Sequence, residues 1–390
     1  MTLIKSISII TSPFGCIPPN AIGAVEKRWK SCGDYFLEKG IDVTFISKMP
    51  SESCKSSGHN IYIKGYSWTG SKIKDLLLDF IYSFKALWKM PKCDAVVLNT
   101  IFTPVLLPLF KWKYKVSLYN VARFPKKQLG AYRAVDILSC VSNVVYKCML
   151  EQTPSTKRQG CVINNFINTD IYHPLRKHNR TDNPIVLFTG RVHREKGLEL
   201  LVKAINEVRK TYNISLKVIG AWEVERGGSG QDYVDELNNL ASGWEIDWVD
   251  PIYDPKLLSK EMDKCDIYCY PSLADKGETF GVAPLEAMGL GIPTVVSALE
   301  CFSDFLKDKE SGLVFDHHSP NAVSQLADCI LYIMRSDKDY DSLSKNAIQA
   351  AAEFTIENKA EEYLCVLNNV LNYGCLGFDD NSMKVKQIDK

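Results

Sequence analysis

The segment GETFGVAPLEAMGLGIP, residues 277–293, sets two carboxylates, Glu278 and Glu286, eight positions apart. Between them lie a small-residue turn and the first turns of a helix. A helix start offers free backbone N–H groups and a partial positive charge, which suit a phosphate or diphosphate. Gly281 lets a backbone come close to a ligand. Glu286, in the early turns, is placed to accept two hydroxyl hydrogen bonds, as from a ribose. A surface helix with an incidental glutamate would carry the same spacing, so the neighbouring segments must arbitrate.

A second segment, GRVHREKGLELL, residues 190–201, directly follows an apolar run. Arg191 and Lys196 then stand between a strand's carboxyl end and the next helix. Fixed cations there would stabilise the charge on a departing diphosphate, each by about 2–4 kcal/mol in a dry site. A solvated charged turn is the competing reading, because His193, Arg194 and Glu195 are equally polar. A third segment, PPNAIGAVEKRW, residues 18–29, opens a helix after the first strand, with Gly23 at its start. It is neither GxGxxG nor a Walker loop, so a dinucleotide enzyme and a P-loop NTPase are both unsupported.

These segments need rigid elements behind them. Strand-type runs are expected at residues 5–11, 41–47, 60–64, 95–100, 115–119, 137–141 and 160–163. A helix at 23–39 is closed by Gly40. The pattern restarts with strands at 184–189, 215–219, 245–249, 267–270 and 294–297, and with a helix at 198–210. Helices are expected at 320–335, 343–354 and 356–372. Strands alternating with helices imply an α/β fold of parallel sheets, with ligands at the carboxyl ends of the strands. The expected organisation is a doubly wound domain over 1–167, a polar linker over 168–183, a second such domain over 184–354 and a helix over 355–372. That helix would pack back toward the first domain, and a disordered tail would fill 373–390. A cleft between the two domains would hold the ligand.

The chain has 390 residues, 46% hydrophobic and 24% charged, the profile of a globular protein of about two domains. Net charge is +1, yet the halves differ. Up to Asp170 there are 23 Lys/Arg against 11 Asp/Glu, and beyond it 24 against 35. A basic first half suits an anionic partner: nucleic acid, a phosphorylated acceptor or an anionic membrane. The run SKIKDLLLDFIYSFKALWKMPK, residues 71–92, mixes Leu, Phe and Trp with Lys at helical spacing. Either it docks on anionic lipid, or its apolar stripe faces the core. The 13 cysteines form no CxxC pair, and as small hydrophobes they suit a reducing cytosol. Residues 3–10 are too short for a signal-peptide core, and residues 95–110 too short to span a bilayer. No metal is expected. The DKD and DYD of SDKDYDS, residues 336–342, are read as a solvated run between two helices.

The motifs together resemble glycosyltransferase family 4, whose GT-B fold is two facing Rossmann-like domains across a cleft. EAMGLGIPTVV behind the glutamate pair resembles that family's E-x7-E motif, and GRVHREKGLELLVKAI resembles its G-R-x-x-x-x-K-G segment. VINNFINTDIYHP is similar to its linker signature, and GAVEKRWKSCGDYFLEKGIDVTFI to its first helix and strand. The resemblance spans residues 4–372. It implies a retaining hexosyltransferase that moves a sugar from a UDP- or GDP-type donor to a glycan hydroxyl. The acceptor would be lipid-linked, in O-antigen, lipopolysaccharide or capsule synthesis. The enzyme would be cytoplasmic, or peripheral on the inner face of the plasma membrane.

By the same resemblance Arg191, Lys196 and Glu278 are the catalytic set. Arg191 and Lys196 would hold the diphosphate, Glu278 the donor sugar and Glu286 the ribose. Gly190, Thr279, Phe280, Gly281 and Val282 would line the donor, the last three through backbone. Asp250 and Ile252 would lie near the base, and Gly23 would face the phosphate from the other domain. Asn120 stands where the family often has a histidine, so Asn120 and Arg123 only mark the acceptor side. ALECFSD replaces the family's usual G-G-x-x-E after TVVS. No cofactor is implied. The alternatives are a nucleotide-sugar 2-epimerase of the same fold, whose acid/base set is not found, and a non-catalytic glycan- or nucleic-acid-binding protein. The Arg191/Lys196/Glu278/Glu286 set argues against the latter, and nucleic acid is not expected as a partner.

Overall fold

The structure is a computed structural model that describes residues 2–18, 23–50, 57–376, 378–379 and 382–385. Two compact units divide the chain. The first is Met1–Asn165 with Ile356–Lys390, and the second is Phe166–Thr355.

The first unit is a seven-stranded sheet in the order β3-β2-β1-β4-β5-β6-β7. Its strands are β1 (Ser6–Ile10), β2 (Asp42–Lys48), β3 (His59–Ile63), β4 (Ala95–Leu98), β5 (Val116–Val121), β6 (Ile137–Cys140) and β7 (Gly160–Val162). Every pairing is parallel. The reason is visible in β4, AVVL, where all four residues are buried. Such runs suit strands covered on both faces. Its helices are α1 (Ala24–Glu38), α2 (Lys72–Lys89), α3 (Thr103–Leu106), α4 (Asn143–Gln152) and, from the C-terminal part, α11 (Ile356–Tyr373). Helix α1 buries Trp29, Cys32, Gly33 and Phe36, an i, i+3, i+4, i+7 stripe. Helix α11 docks on α1: the Arg28 guanidinium donates to the Tyr363 hydroxyl, and the Trp29 and Tyr363 rings lie 4.9 Å apart.

Helix α2 mixes polar and apolar residues on both faces. Asp75, Asp79 and Ser83 face inward, while Ile73, Leu77 and Trp88 are 81%, 59% and 66% exposed. The inward carboxylate of Asp79 accepts the Phe102 N–H at 3.0 Å and the Ser83 hydroxyl at 3.2 Å. The apolar residues of 71–92 are therefore divided: Tyr82, Ala86, Leu87 and Met90 join the core, while Ile73, Leu77, Phe84 and Trp88 face outward.

The second unit is a six-stranded parallel sheet in the order β10-β9-β8-β11-β12-β13. Its strands are β8 (Ile185–Thr189), β9 (Ser215–Ile219), β10 (Asp247–Val249), β11 (Ile267–Tyr270), β12 (Thr294–Ser297) and β13 (Leu313–Phe315). Helices α5 (Leu198–Val208), α6 (Gln231–Leu240), α7 (Pro255–Met262), α8 (Val282–Gly289), α9 (Ala322–Met334) and α10 (Asp337–Ala351) cover it. Helix α5 buries Leu198, Leu201, Val202, Ala204, Ile205 and Val208. Each buried aliphatic side chain there contributes about 1.5–3 kcal/mol relative to exposure.

Three sequence expectations change. Residues 168–183, expected as a linker, pack within the second unit. Arg176 donates to Asp266 at 3.1 Å, and buried His178 lies 3.0 Å from Asp263. A polar composition concealed these contacts. The DKDYDS run is not a stretch between two helices but the start of α10, whose N-cap Ser336 accepts the Asp339 N–H. In the tail expected to be disordered, Phe378–Asp379 and Ser382–Val385 pair antiparallel.

Candidate functional site

In the second unit the chain winds outward from β8 to β10, then returns to the other side of β8 for β11 to β13. The strand order reverses between β8 and β11, and such a switch point leaves a crevice at the carboxyl ends of the strands. Both chemistry-bearing segments emerge there. Gly190 to Lys196 follows β8, and residues 271–281 follow β11.

The Leu273 N–H donates to the Glu195 carbonyl at 2.7 Å, tying the two segments together. The Lys196 ammonium donates to Glu278 Oε2 at 2.7 Å, with side-chain exposures of 10% and 13%. The Tyr270 hydroxyl, from the last residue of β11, donates to the same oxygen at 3.0 Å. Lys196 Nζ also lies 5.2 Å from the centre of the Tyr270 ring. Burial first, then the Glu278 charge, pushes the Tyr270 phenol well above its ordinary value, so it stays a proton donor. One partly buried carboxylate is thus held by a cation and a phenol.

Backbone geometry fixes this cluster at two glycines. Gly197 closes the turn after Lys196 with φ +71°, and a Cβ there would lie 2.0 Å from the Pro271 carbonyl oxygen. Gly281 caps α8 with φ +92°, and a Cβ would lie 2.4 Å from the Phe302 ring. Only glycine satisfies both demands. The Phe280 side chain packs 5.1 Å from the Phe305 ring, so its backbone is what it can offer a ligand. Val282 and Ala283 supply the N–H groups that a helix start leaves without intrahelical acceptors, while Pro284 has none.

Glu286 sits in the second turn of α8 and hydrogen-bonds Tyr172. Burial, and then the Glu286 carboxylate, pushes the Tyr172 hydroxyl up. Arg191 is half exposed. Its guanidinium donates to the Gly227 carbonyl at 2.8 Å and to Glu195 Oε1 at 3.0 Å. Thr279 is half-buried beside Glu278, and Asp250 and Ile252 follow the edge strand β10.

The structure therefore brings Lys196 into contact with Glu278 and gathers Arg191, Gly190, Thr279, Phe280, Gly281, Val282 and Glu286 on the same sheet edge. Tyr270 and Tyr172 escaped the sequence reading. Tyr270 reads as one more apolar position of a buried strand, and Tyr172 lies in the supposed linker. Its one sequence signal was position: Tyr270 ends the strand eight residues before Glu278. Among the described residues, one group of three metal-type ligands also lies together, Asp275, His317 and His318. Partial desolvation raises the Asp275 carboxyl, but hydrogen bonds with His317 and then His318 outweigh it and hold it below the usual range.

The marker residues of the first unit are placed differently. Gly23 caps α1, and residues 19–22 of the loop before it, including Ile22, lie outside the described residues. Asn120 is buried, and its amide donates to Asn99 Oδ1 at 3.0 Å, an atom that also accepts the Trp29 indole N–H at 2.8 Å. Arg123 is exposed. No helix among the described residues is long and apolar enough to cross a membrane.

Residues 174–350 match the model of the family described as glycosyl transferases group 1. Among curated proteins, the D-inositol 3-phosphate glycosyltransferase of Nocardioides sp. is 26% identical over 192 residues, 47% of this chain and 41% of its own. The phosphatidyl-myo-inositol mannosyltransferase of Mycobacterium leprae is 31% identical over 157 residues, 39% of this chain and 37% of its own. The chain spans about two-fifths of the length of these relatives. Among solved structures, the sucrose-phosphate synthase of Thermosynechococcus elongatus superposes with a TM-score of 0.74 at 19% identity, covering 92% of this chain and 97% of that one. Anabaena HepE in complex with UDP-glucose gives 0.65 at 16% identity, covering 92% and 99%. With two doubly wound parallel sheets of this order, the chain has the GT-B fold, and residues 174–350, which carry the Lys196–Glu278 cluster at the switch point of the second sheet, are similar to the glycosyl transferases group 1 family.

Proposed function

We propose that the protein is a retaining glycosyltransferase that moves a hexose from a nucleoside-diphosphate donor to a glycan hydroxyl. The observation that carries this reading is the buried Lys196–Glu278–Tyr270 cluster at the β8/β11 switch point. An ammonium has three donors, so Lys196 can keep Glu278 and still reach diphosphate oxygens. Arg191 uses part of its five-donor fork on Gly227 and Glu195, leaving N–H groups for the same diphosphate. The α8 N-terminus adds backbone donors and a favourable dipole. Glu278 takes hydroxyls of the donor sugar, and Glu286 those of the ribose.

In the reaction, the bond from the anomeric carbon to the diphosphate oxygen breaks, and a bond to the acceptor oxygen forms on the same face. The departing phosphate oxygen takes the acceptor's proton. Lys196 and Arg191 stabilise the charge that grows on the diphosphate, which accelerates the step because that charge is largest in the transition state. No cofactor is needed for this scheme.

UDP-glucose bound to Anabaena HepE, a protein of the same fold, favours a uridine donor here, with GDP-sugars as the alternative. For the acceptor we favour a lipid-linked glycan of the O-antigen or capsule type. Support comes from the outward stripe of α2, with Leu77, Phe84 and Trp88 exposed among Lys72, Lys74, Lys85 and Lys89. Trp112 and Lys111 add to this face. Apolar residues ringed by lysines match an anionic bilayer surface.

Release of nucleoside diphosphate should be measured with a panel of UDP- and GDP-sugars and a lipid-linked acceptor extract. Acceptor-dependent release that disappears in Lys196→Ala supports the reading. Interconversion of donor sugars without release, or no turnover of any donor, overturns it. Co-sedimentation with phosphatidylglycerol vesicles at low salt tests the surface. Binding that a Leu77→Asp/Trp88→Ser variant does not lose removes α2 from it.

A further inference from the structure

We propose that Asp275, His317 and His318 form a binding site for a divalent metal ion of the zinc class, which clamps the Glu278 loop to the segment after β13. Three features carry the proposal. The donor set is two imidazoles and one carboxylate, a combination that suits Zn²⁺ and its borderline-soft neighbours. The spacing is also right. Both Nε2 atoms lie 3.2 Å from Asp275 Oδ1, and all three donor atoms fall within 4.8 Å of one another. Ligands about 2.0–2.1 Å from a tetrahedral zinc stand about 3.3–3.4 Å apart, so the site needs little movement to close on an ion.

The third feature is how the backbone builds it. Successive residues of a strand point to opposite faces, so two adjacent histidines rarely serve one site. Here the chain turns as it leaves β13: the Ser319 N–H donates to the Asp316 carbonyl, and the His318 N–H to Asp316 Oδ1 at 3.0 Å. The turn sets both rings on one side, with centroids 4.0 Å apart. The His317 side chain is 2% exposed and fixed by packing, while His318 is 67% exposed and leaves an entry path. Asp275 comes from 42 positions earlier in the chain than His317, on the loop after β11. Its own N–H donates to the Leu273 carbonyl, and the Glu278 N–H donates to the Ala274 carbonyl. A metal ion held by Asp275 would therefore fix the short turn that carries Glu278. In the metal-free chain the same atoms meet as hydrogen bonds, with each Nε2–H donating to Oδ1. A water or an incoming ligand completes the fourth position.

The proposal does not depend on the proposed activity, and its test reads binding alone. Untagged, chelator-treated full-length protein is titrated with Zn²⁺ against a chromophoric chelator, and with Co²⁺ by visible absorption. The wild type should take up one equivalent, and its Co²⁺ complex should show tetrahedral d–d bands. His318→Ala, at an exposed position that the fold does not need, and Asp275→Asn should each weaken binding at least tenfold. His173→Ala, at an exposed histidine elsewhere, should not. Hydrogen exchange across residues 271–281 should slow on adding Zn²⁺ in the wild type and not in His318→Ala. Uptake of less than one equivalent, or equal loss in His173→Ala and His318→Ala, overturns the site. Zn²⁺ binding without slowed exchange overturns the clamp.

Discussion

The two units of this chain answer one topological question in opposite ways. Each is a parallel sheet whose strand order reverses beside its first strand, between β1 and β4 in one and between β8 and β11 in the other. In the first unit the residues at that point bond mostly to one another, with the buried Asn120 Oδ1 left without a partner. The Asn99 amide donates to the Ile10 carbonyl, and its Oδ1 accepts from Trp29 and Asn120. Glu26 is buried beneath Gly15 and Gly23 and accepts from Ser12 at 3.2 Å. In the second unit the cluster is charged and holds donors in reserve on Lys196 and Arg191. Topology fixes where a ligand can lie, and the side chains decide whether that edge is closed or open for chemistry. Exposed apolar side chains of the first unit, Leu77, Phe84 and Trp88 among them, lie on the outer face of α2.

The strongest test of that contrast removes the cation. Lys196→Ala should lower turnover by about two to three decades, equivalent to about 2.7–4 kcal/mol of transition-state stabilisation. Donor affinity should fall less, because the charge matters most as the diphosphate departs. Steady-state kinetics beside calorimetric donor binding separates the two, and unchanged turnover would remove Lys196 from the chemistry of the second unit's switch point. Next, Glu286→Ala should cost donor affinity about 1.5–3 kcal/mol, one to two decades, through lost charge-assisted hydrogen bonds.

A smaller effect is expected at Gly281. Gly281→Ala forces a side chain into φ +92° and against the Phe302 ring. Strain of about 1–3 kcal/mol should appear as a melting point lowered by about 2–10 °C. Retained stability would mean that the turn before α8 is softer than its geometry implies.

These experiments address residues of unequal legibility. Strands 215–219, 267–270 and 294–297 fall where the sequence puts them, because buried parallel strands are runs of Val, Ile and aromatic residues bounded by turns. Lys196 and Glu278 were readable because a cation and a carboxylate in glycine-rich turns have no role in a core. Tyr270 and Tyr172 were not, since a tyrosine in an apolar run looks the same whether its hydroxyl is idle or holds a carboxylate. Periodicity announced an apolar stripe on α2 but not its direction. That was settled by packing: Tyr82, Ala86 and Leu87 join the core beside the inward hydrogen bonds of Asp75, Asp79 and Ser83, which leaves Leu77, Phe84 and Trp88 outward. The Asp275–His317 pairing joins two distant loops and leaves no local spacing to detect.

The smallest predicted effect compares the two carboxylates themselves. Glu278 has a lysine; Glu26 has a backbone N–H, the Ser12 hydroxyl and an electrostatic influence from Arg123. Burial dominates at Glu26 and raises its pKa above the ordinary 4.5. The sign of the linkage follows. A carboxyl whose folded pKa exceeds its unfolded value contributes stability fully present below 4.5, which is lost as pH rises through the folded pKa. Glu26→Gln keeps an acceptor for the Ser12 hydroxyl but removes that ionisation. The melting point of the variant relative to wild type should therefore rise between pH 4 and pH 7, by less than the Gly281 effect, with turnover retained. Were the difference to fall with pH instead, the Glu26 carboxylate would have a cationic partner of its own, and the first unit's switch point would be charged in the manner of the second.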